Sequence, residues 1–85
     1  MTPSEALVDI RGYAGAGRIV VTFHAGRRMG ERGVTFADVR HALTNAGRCS
    51  AHPEQRWKAW GPDAAGDELA LAVLLEDGVI VVTVF

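Results

Sequence analysis

Cysteine is almost missing from this chain. Cys49 stands alone, so no internal disulfide can form. His24, His41 and His52 are scattered, and no Cys/His spacing fits a zinc site, so neither a metal nor any other cofactor is called for. Long apolar runs are missing as well. The longest stretches, Leu69 to Leu75 and Val79 to Phe85, have the length of strands and fall far short of the ~20 residues a membrane helix needs. Met1-Thr2-Pro3-Ser4-Glu5 lacks the basic start and apolar segment of a secretory leader, so a reduced, cytoplasmic setting without a membrane partner is expected. Gly-rich phosphate loops, nucleophile elbows, paired-carboxylate signatures, repeats and low-complexity segments are also absent. No motif for P-loop phosphate binding, elbow-type nucleophilic catalysis or paired-carboxylate chemistry is therefore available.

What remains is a chain of 85 residues, 48% of them hydrophobic, which fits one domain with a thin core and is too apolar for disorder. Net charge is only −1, but it is unevenly placed. Residues 18–60 carry seven arginines and Lys58 against Glu31, Asp38 and Glu54, a net of +5. Residues 61–85 carry five acids and no base, a net of −5. A basic face built from the middle of the chain is the expectation, with uneven surface charge as the plain alternative.

Local patterning gives a coarse α+β outline. Pro3 to Tyr13 reads as a short helix with Ala6, Leu7 and Ile10 as its apolar stripe, ended by the glycines between Gly12 and Gly17. Residues 1–17 thus form a helix and Gly-rich linker ahead of an α+β core at 18–85, all within one domain. Arg18 to Phe23 is a β-branched strand. A helix follows from His24 to Arg32, stopped by Gly33 in a left-handed cap. Thr35 caps the next helix, Asp38 completes a capping box, and Val39, Ala42 and Leu43 face inward to about Asn45. The remainder is β: Arg48 to His52, a turn at Pro53-Glu54-Gln55, Arg56 to Trp60, and a hairpin around Asp77-Gly78. A two-residue turn there sets Leu75 opposite Ile80 and Val73 opposite Val82. Leu71, Val73, Leu75, Ile80, Val82 and Val84 would then meet the helices, leaving Ala70, Ala72, Leu74, Val79, Val81, Thr83 and Phe85 as a groove floor.

Two segments carry candidate chemistry. His24, Arg28 and Arg32 are spaced by four and fall on one stripe of their helix, with Ala25 and Met29 as its anchor. An imidazole beside two guanidinium groups can move a proton while the cations hold a phosphate. The same residues also suit a helix start that is merely capped and packed. In Arg56-Trp57-Lys58-Ala59-Trp60, alternation puts Arg56, Lys58 and Trp60 on one face, suited to gripping a backbone and stacking a base, or simply to a solvated strand face. His41, His52 and Cys49 read as structural residues.

The string His24-Ala-x-x-Arg28-Met29-x-x-Arg32-Gly33-Val34-Thr35, followed by Asp38-Val39-x-x-Ala42-Leu43, resembles the bacterial domain-of-unknown-function family 4258. So does the ending Val-Ile-Val-Val-Thr-Val-Phe, and the resemblance spans roughly residues 18 to 85. The element order is similar to RelE/ParE and MqsR toxins. That resemblance implies short helices on one face of a four- to five-stranded antiparallel, RelE-like sheet. It also implies a metal-independent endoribonuclease of a toxin–antitoxin pair, in which the RNA's own 2′-hydroxyl attacks the adjacent phosphate in mRNA or ribosome-bound RNA. His24 would be the general acid or base, with Arg28 and Arg32 on the phosphate. Arg27, Arg56, Lys58, Trp60, Thr83 and Phe85 would contact RNA. Phe85 lacks the hydroxyl often found near that end, and the mildly acidic balance also departs from the pattern. The implied partners are RNA and a cognate antitoxin, and a homodimer is compatible. A non-catalytic module binding protein or nucleic acid through the same basic helix is the alternative.

Overall fold

The computed structural model describes all residues, Met1 to Phe85. Its elements are α1 (Pro3–Gly15), β1 (Ile19–Val21), α2 (Phe23–Arg32), α3 (Phe36–Thr44), β2 (Arg48–His52), β3 (Arg56–Pro62), β4 (Glu68–Leu75) and β5 (Val79–Val84). The strands form one five-stranded sheet in the order β1-β5-β4-β3-β2. The fold is α+β, with three helices packed on a mixed sheet. None of these helices is long and apolar enough to cross a membrane.

Each helix starts where its side chains satisfy the first free amides. Thr2 and Glu5 form a reciprocal capping box on α1, and Thr35 with Asp38 does the same on α3. The α1 helix continues through Gly12 to Gly15, past the point where glycine density predicts its end, because Ala14 is buried and holds the last turn against the core. Thr22 caps α2 by accepting from Ala25 N at 3.1 Å, and Gly33 ends it at φ 67. Helix α2 begins at Phe23, one residue before the expected start.

The expected all-antiparallel sheet is corrected at one edge. Strands β2 to β5 are joined by tight turns and alternate in direction, but β1 lies parallel to β5, with Ile19 beside Val79 and Val21 beside Val81. The chain between β1 and the hairpins passes through two helices, and such a crossover can return in either direction, whereas a short turn cannot.

The register of the β4–β5 hairpin is a second correction. Leu75 pairs with Val79 and Val73 with Val81, so the loop holds Glu76, Asp77 and Gly78 rather than two residues. Asp77 and Gly78 sit at φ 53 and φ 147. A slip of one residue exchanges the faces of a strand. Val79 and Val81 are therefore fully buried under the helices, while Ile80 and Val82, expected there, are only half-buried on the other face. The pairing is irregular beside Ala72 and Val73, where Thr83 follows Val81 across the ladder. This bulge lets Val82 and Thr83 both stay off the core and returns Val84 to it.

One core cluster lies between the helices and one face of the sheet. Ile10 and Ala14 of α1, Ala25 and Met29 of α2, and Val39, Ala42 and Leu43 of α3 meet Ala59, Leu71, Val73, Val79, Val81 and Val84. Helix α3 rests on the backbone of β3. A Cβ at Gly61 would lie 2.0 Å from the Ala42 carbonyl oxygen, so glycine is required there. The opposite face of the sheet has no helix over it.

Candidate functional site

The two basic segments singled out in the sequence lie on opposite sides of the sheet. Helix α2 is anchored by Ala25 and Met29, as its periodicity predicts. His24, Arg27 and Arg32 are exposed and make neither a hydrogen bond nor an ion pair within the protein. Arg28 is half-buried, and its Nε donates to the Val84 carbonyl at the end of β5, at 3.4 Å. That contact spends part of the guanidinium on holding α2 to the sheet. The stripe His24, Arg28, Arg32 exists as a helix face, but no other side chain forms a hydrogen bond or ion pair with it.

The uncovered face of the sheet gathers the second segment. Alternation along β3 points Trp57 and Ala59 toward the core and Arg56, Lys58 and Trp60 away from it, as expected. Pairing then adds neighbours from three other strands. Ser50 and Ala72 flank Lys58, and Thr83 lies beyond Ala72, so β2, β3, β4 and β5 contribute one row. Arg48 and Ala70 flank Trp60, and Phe85 N donates to the Ala70 carbonyl at 2.9 Å. His52 stands directly across from Arg56. Thus Arg56, Lys58, Trp60, Thr83 and Phe85 come together, whereas His24, Arg27, Arg28 and Arg32 stay with the helices.

The strip alternates cations and rings. The Lys58 ammonium lies 5.1 Å from the Trp60 ring centre and 4.3 Å from that of Phe85. The Arg48 guanidinium stacks on Trp60 at 4.0 Å. The His52 ring meets Phe85 edge-on, with centres 5.8 Å apart and planes at 73°. Cations above aromatic faces are held by the ring quadrupole and remain available to an anion. Ala72 is fully buried and Ala70 half-buried beneath the longer side chains around them, so Lys58, Trp60 and Phe85 supply the accessible surface here. Acids near the strip are few and peripheral. Glu68 is 3.8 Å from Arg48, and Glu54 is 3.5 Å from Arg56. The Nε of Arg56 is buried without a hydrogen-bond partner. An open depression of about 390 Å³ adjoins Trp60 and Arg48, with Gly47, Gly66 and Glu68 also on its walls.

Arg48 and His52 were not expected in the site. The signal was present in the turn: counting outward from Pro53-Glu54-Gln55 sets His52 against Arg56 and Arg48 against Trp60. The remaining basic residues have structural tasks. Arg11 donates to Ala46 O at 2.7 Å, Arg40 to Gly15 O at 3.2 Å, and Arg18 pairs with Asp77 at 2.8 Å. His41 contacts the Pro62 carbonyl through Nδ1 at 2.9 Å. Cys49 is half-buried, and its Sγ donates to Pro3 O at 3.1 Å; burial raises its pKa, which suits a packing residue rather than a nucleophile.

Comparison with known proteins gives no matching family model, no matching curated protein and no matching solved structure. The chemistry of the strip is therefore the basis for a functional reading. It offers ring-stacked cations at strand spacing and two aromatic surfaces.

Proposed function

We propose that the chain is an RNA-directed, RelE-like toxin whose single-stranded RNA substrate lies across the uncovered face of the sheet. In this reading it is a cytoplasmic, metal-independent endoribonuclease of a toxin–antitoxin pair, acting on mRNA or ribosome-bound RNA. The observation that carries the RNA-binding part is the Lys58 ammonium seated between the Trp60 and Phe85 rings. Single strands are held by this combination, because phosphates seek cations while unpaired bases stack on aromatic side chains. A duplex offers no free base face to such a strip.

The resemblance of the α2 segment and of the chain's ending to the domain-of-unknown-function family 4258 supports the toxin part. Arg56 and Lys58 then bind the phosphates, Trp60 and Phe85 stack bases, and Thr83 provides a hydroxyl at the floor. Arg28 acts from behind the sheet by fixing the end of β5. Arg27, Arg32 and His24 form a separate basic surface on the helix side, away from the RNA strip and available to an antitoxin.

Fluorescence anisotropy with a labelled single-stranded oligoribonucleotide tests the reading. Trp60→Ala should weaken binding by about tenfold, the effect of losing one stacked base. Lys58→Ala should weaken it and also flatten the dependence on salt. Equal affinity for wild type and both variants would remove the strip from the reading. The second reading, a non-catalytic binding module, is favoured by the absence of a histidine beside Arg28 and Arg32 other than the exposed His24. Binding without strand scission and without growth arrest on expression would select it.

A further inference from the structure

We infer that His52, rather than His24, is the proton-moving group of this site; the inference rests on the RNA-cleaving reading above. Among the three histidines, only His52 shares a face with Arg56, Lys58 and Trp60. His41 is turned to the Pro62 carbonyl, and His24 stands on α2 behind the sheet. His52 closes β2 just before the turn, half-buried, and its ring nitrogens make no hydrogen bond within the protein. Both nitrogens are thus free for a ligand, while edge-on packing against Phe85 limits where the ring can turn.

The neighbours are suited to a phosphodiester. Arg56 lies directly across the ladder, and directly paired strand residues bring their Cβ atoms to roughly 5 Å. Its Nε is buried and closed to a ligand, but its outer guanidinium edge is held by no acid other than the exposed Glu54 at 3.5 Å. Lys58 is two positions along the same strand face and touches the ring that packs on His52. A phosphate lying over Arg56 and Lys58 places the adjoining ribose within reach of the imidazole.

The step is a transesterification without redox change. His52 accepts the proton of the 2′-hydroxyl as O2′ bonds to phosphorus. The P–O5′ bond breaks with its electron pair, and O5′ takes a proton from water. The imidazolium returns its proton to the resulting hydroxide, so the products are a 2′,3′-cyclic phosphate and a 5′-hydroxyl, with no net consumption of water. Arg56 and Lys58 offset the negative charge that builds on the phosphoryl oxygens.

The test separates binding from cleavage. Affinity is read with a labelled 2′-O-methyl oligonucleotide, which cannot be cleaved by this route. Turnover is read on the matching single-stranded oligoribonucleotide. His52→Gln should keep its affinity within about threefold and lose about a hundredfold or more in cleavage, the usual contribution of a general base. Added imidazole should restore part of the activity of His52→Ala, and His24→Gln should cleave as the wild type does. A thermal melt of each variant confirms that it is folded. Wild-type cleavage retained by His52→Gln overturns the inference and leaves the RNA-cleaving reading intact. So does loss of cleavage in folded His24→Gln alone. A wild type that binds but never cleaves overturns the inference together with the enzymatic reading, and a wild type that fails to bind removes the site itself.

Discussion

The β2–β3 and β4–β5 hairpins lie side by side in one sheet and are built from different materials. In β2–β3, charged and aromatic residues alternate with small or core-facing ones, and both positive-φ positions at its turn, Glu54 and Gln55, are non-glycine. In β4–β5 nearly every residue is apolar, Leu71, Val73, Val79, Val81 and Val84 are fully buried, and a bulge adjusts the faces. The first hairpin puts Ala59 in the core, packs Trp57 and Cys49 against its edge, and carries cations and rings on its other face. The second supplies most of the sheet's share of the core, and its outward residues from Ala70 onward are half-buried or, at Ala72, fully buried. Buried apolar bulk lies mainly in β4–β5 and the cations and rings in β2–β3, and substitutions should show which contacts are shared between the two hairpins.

The largest effect should come where β3 meets the core. Gly61→Ala places a Cβ against the Ala42 carbonyl, and an overpacked contact of this kind should cost about 3 kcal/mol or more, read as the denaturant midpoint. If Gly61→Ala were tolerated without loss, α3 would not sit directly on β3. Next come two adjacent valines in β5. Val81→Ala should cost about 2 kcal/mol, because its side chain is fully buried, and Val82→Ala well under half of that. Equal losses, or the reverse order, would favour the two-residue turn over the bulged register.

A smaller gain is expected at the other turn. Gln55→Gly relieves a left-handed backbone position at φ 62 and should stabilise the protein by about 1 kcal/mol in the same assay. The smallest effect concerns the joint between the hairpins. Asp38 accepts from Thr35 N at 2.9 Å and from Ala64 N, in the loop that links β3 to β4, at 3.0 Å. These bonds, that from Thr35 foremost, lower its pKa below the ordinary 3.8. A depressed folded pKa means that the stabilisation is complete above the unfolded value and is lost as pH falls through the folded one. Thermal melts should therefore weaken below about pH 4, and Asp38→Asn should blunt that fall, although Glu5 contributes in the same direction.

The same contrast explains what could be read from the chain. Capped helices were legible because Thr35-x-x-Asp38 and the Gly33 stop are local devices, and the inner faces of α2 and α3 followed from periodicity. The faces of β3 were legible because Arg56, Lys58 and Trp60 alternate with Trp57 and Ala59. The faces of β5 were not, since Val-Ile-Val-Val carries no difference between its sides. A run of similar residues leaves register to the turn, and Glu76-Asp77-Gly78 accommodates a three-residue loop as well as a shorter one. The parallel placement of β1 depends on packing across a crossover and left no local trace. Within the candidate site, Arg56, Lys58 and Trp60 were visible from alternation, and Thr83 and Phe85 were named through the resemblance. Arg48 and His52 joined them only once the strands were paired.

Thr22 ties these parts together through one hydroxyl. It accepts from Ala25 N to cap α2 and donates to the Val82 carbonyl, inside the bulge of β5, at 3.3 Å. The cap of one basic region and the backbone beside Thr83 in the other are therefore in mechanical series. Replacing Thr22 by valine would free the first turn of α2 and the bulged stretch of β5 together.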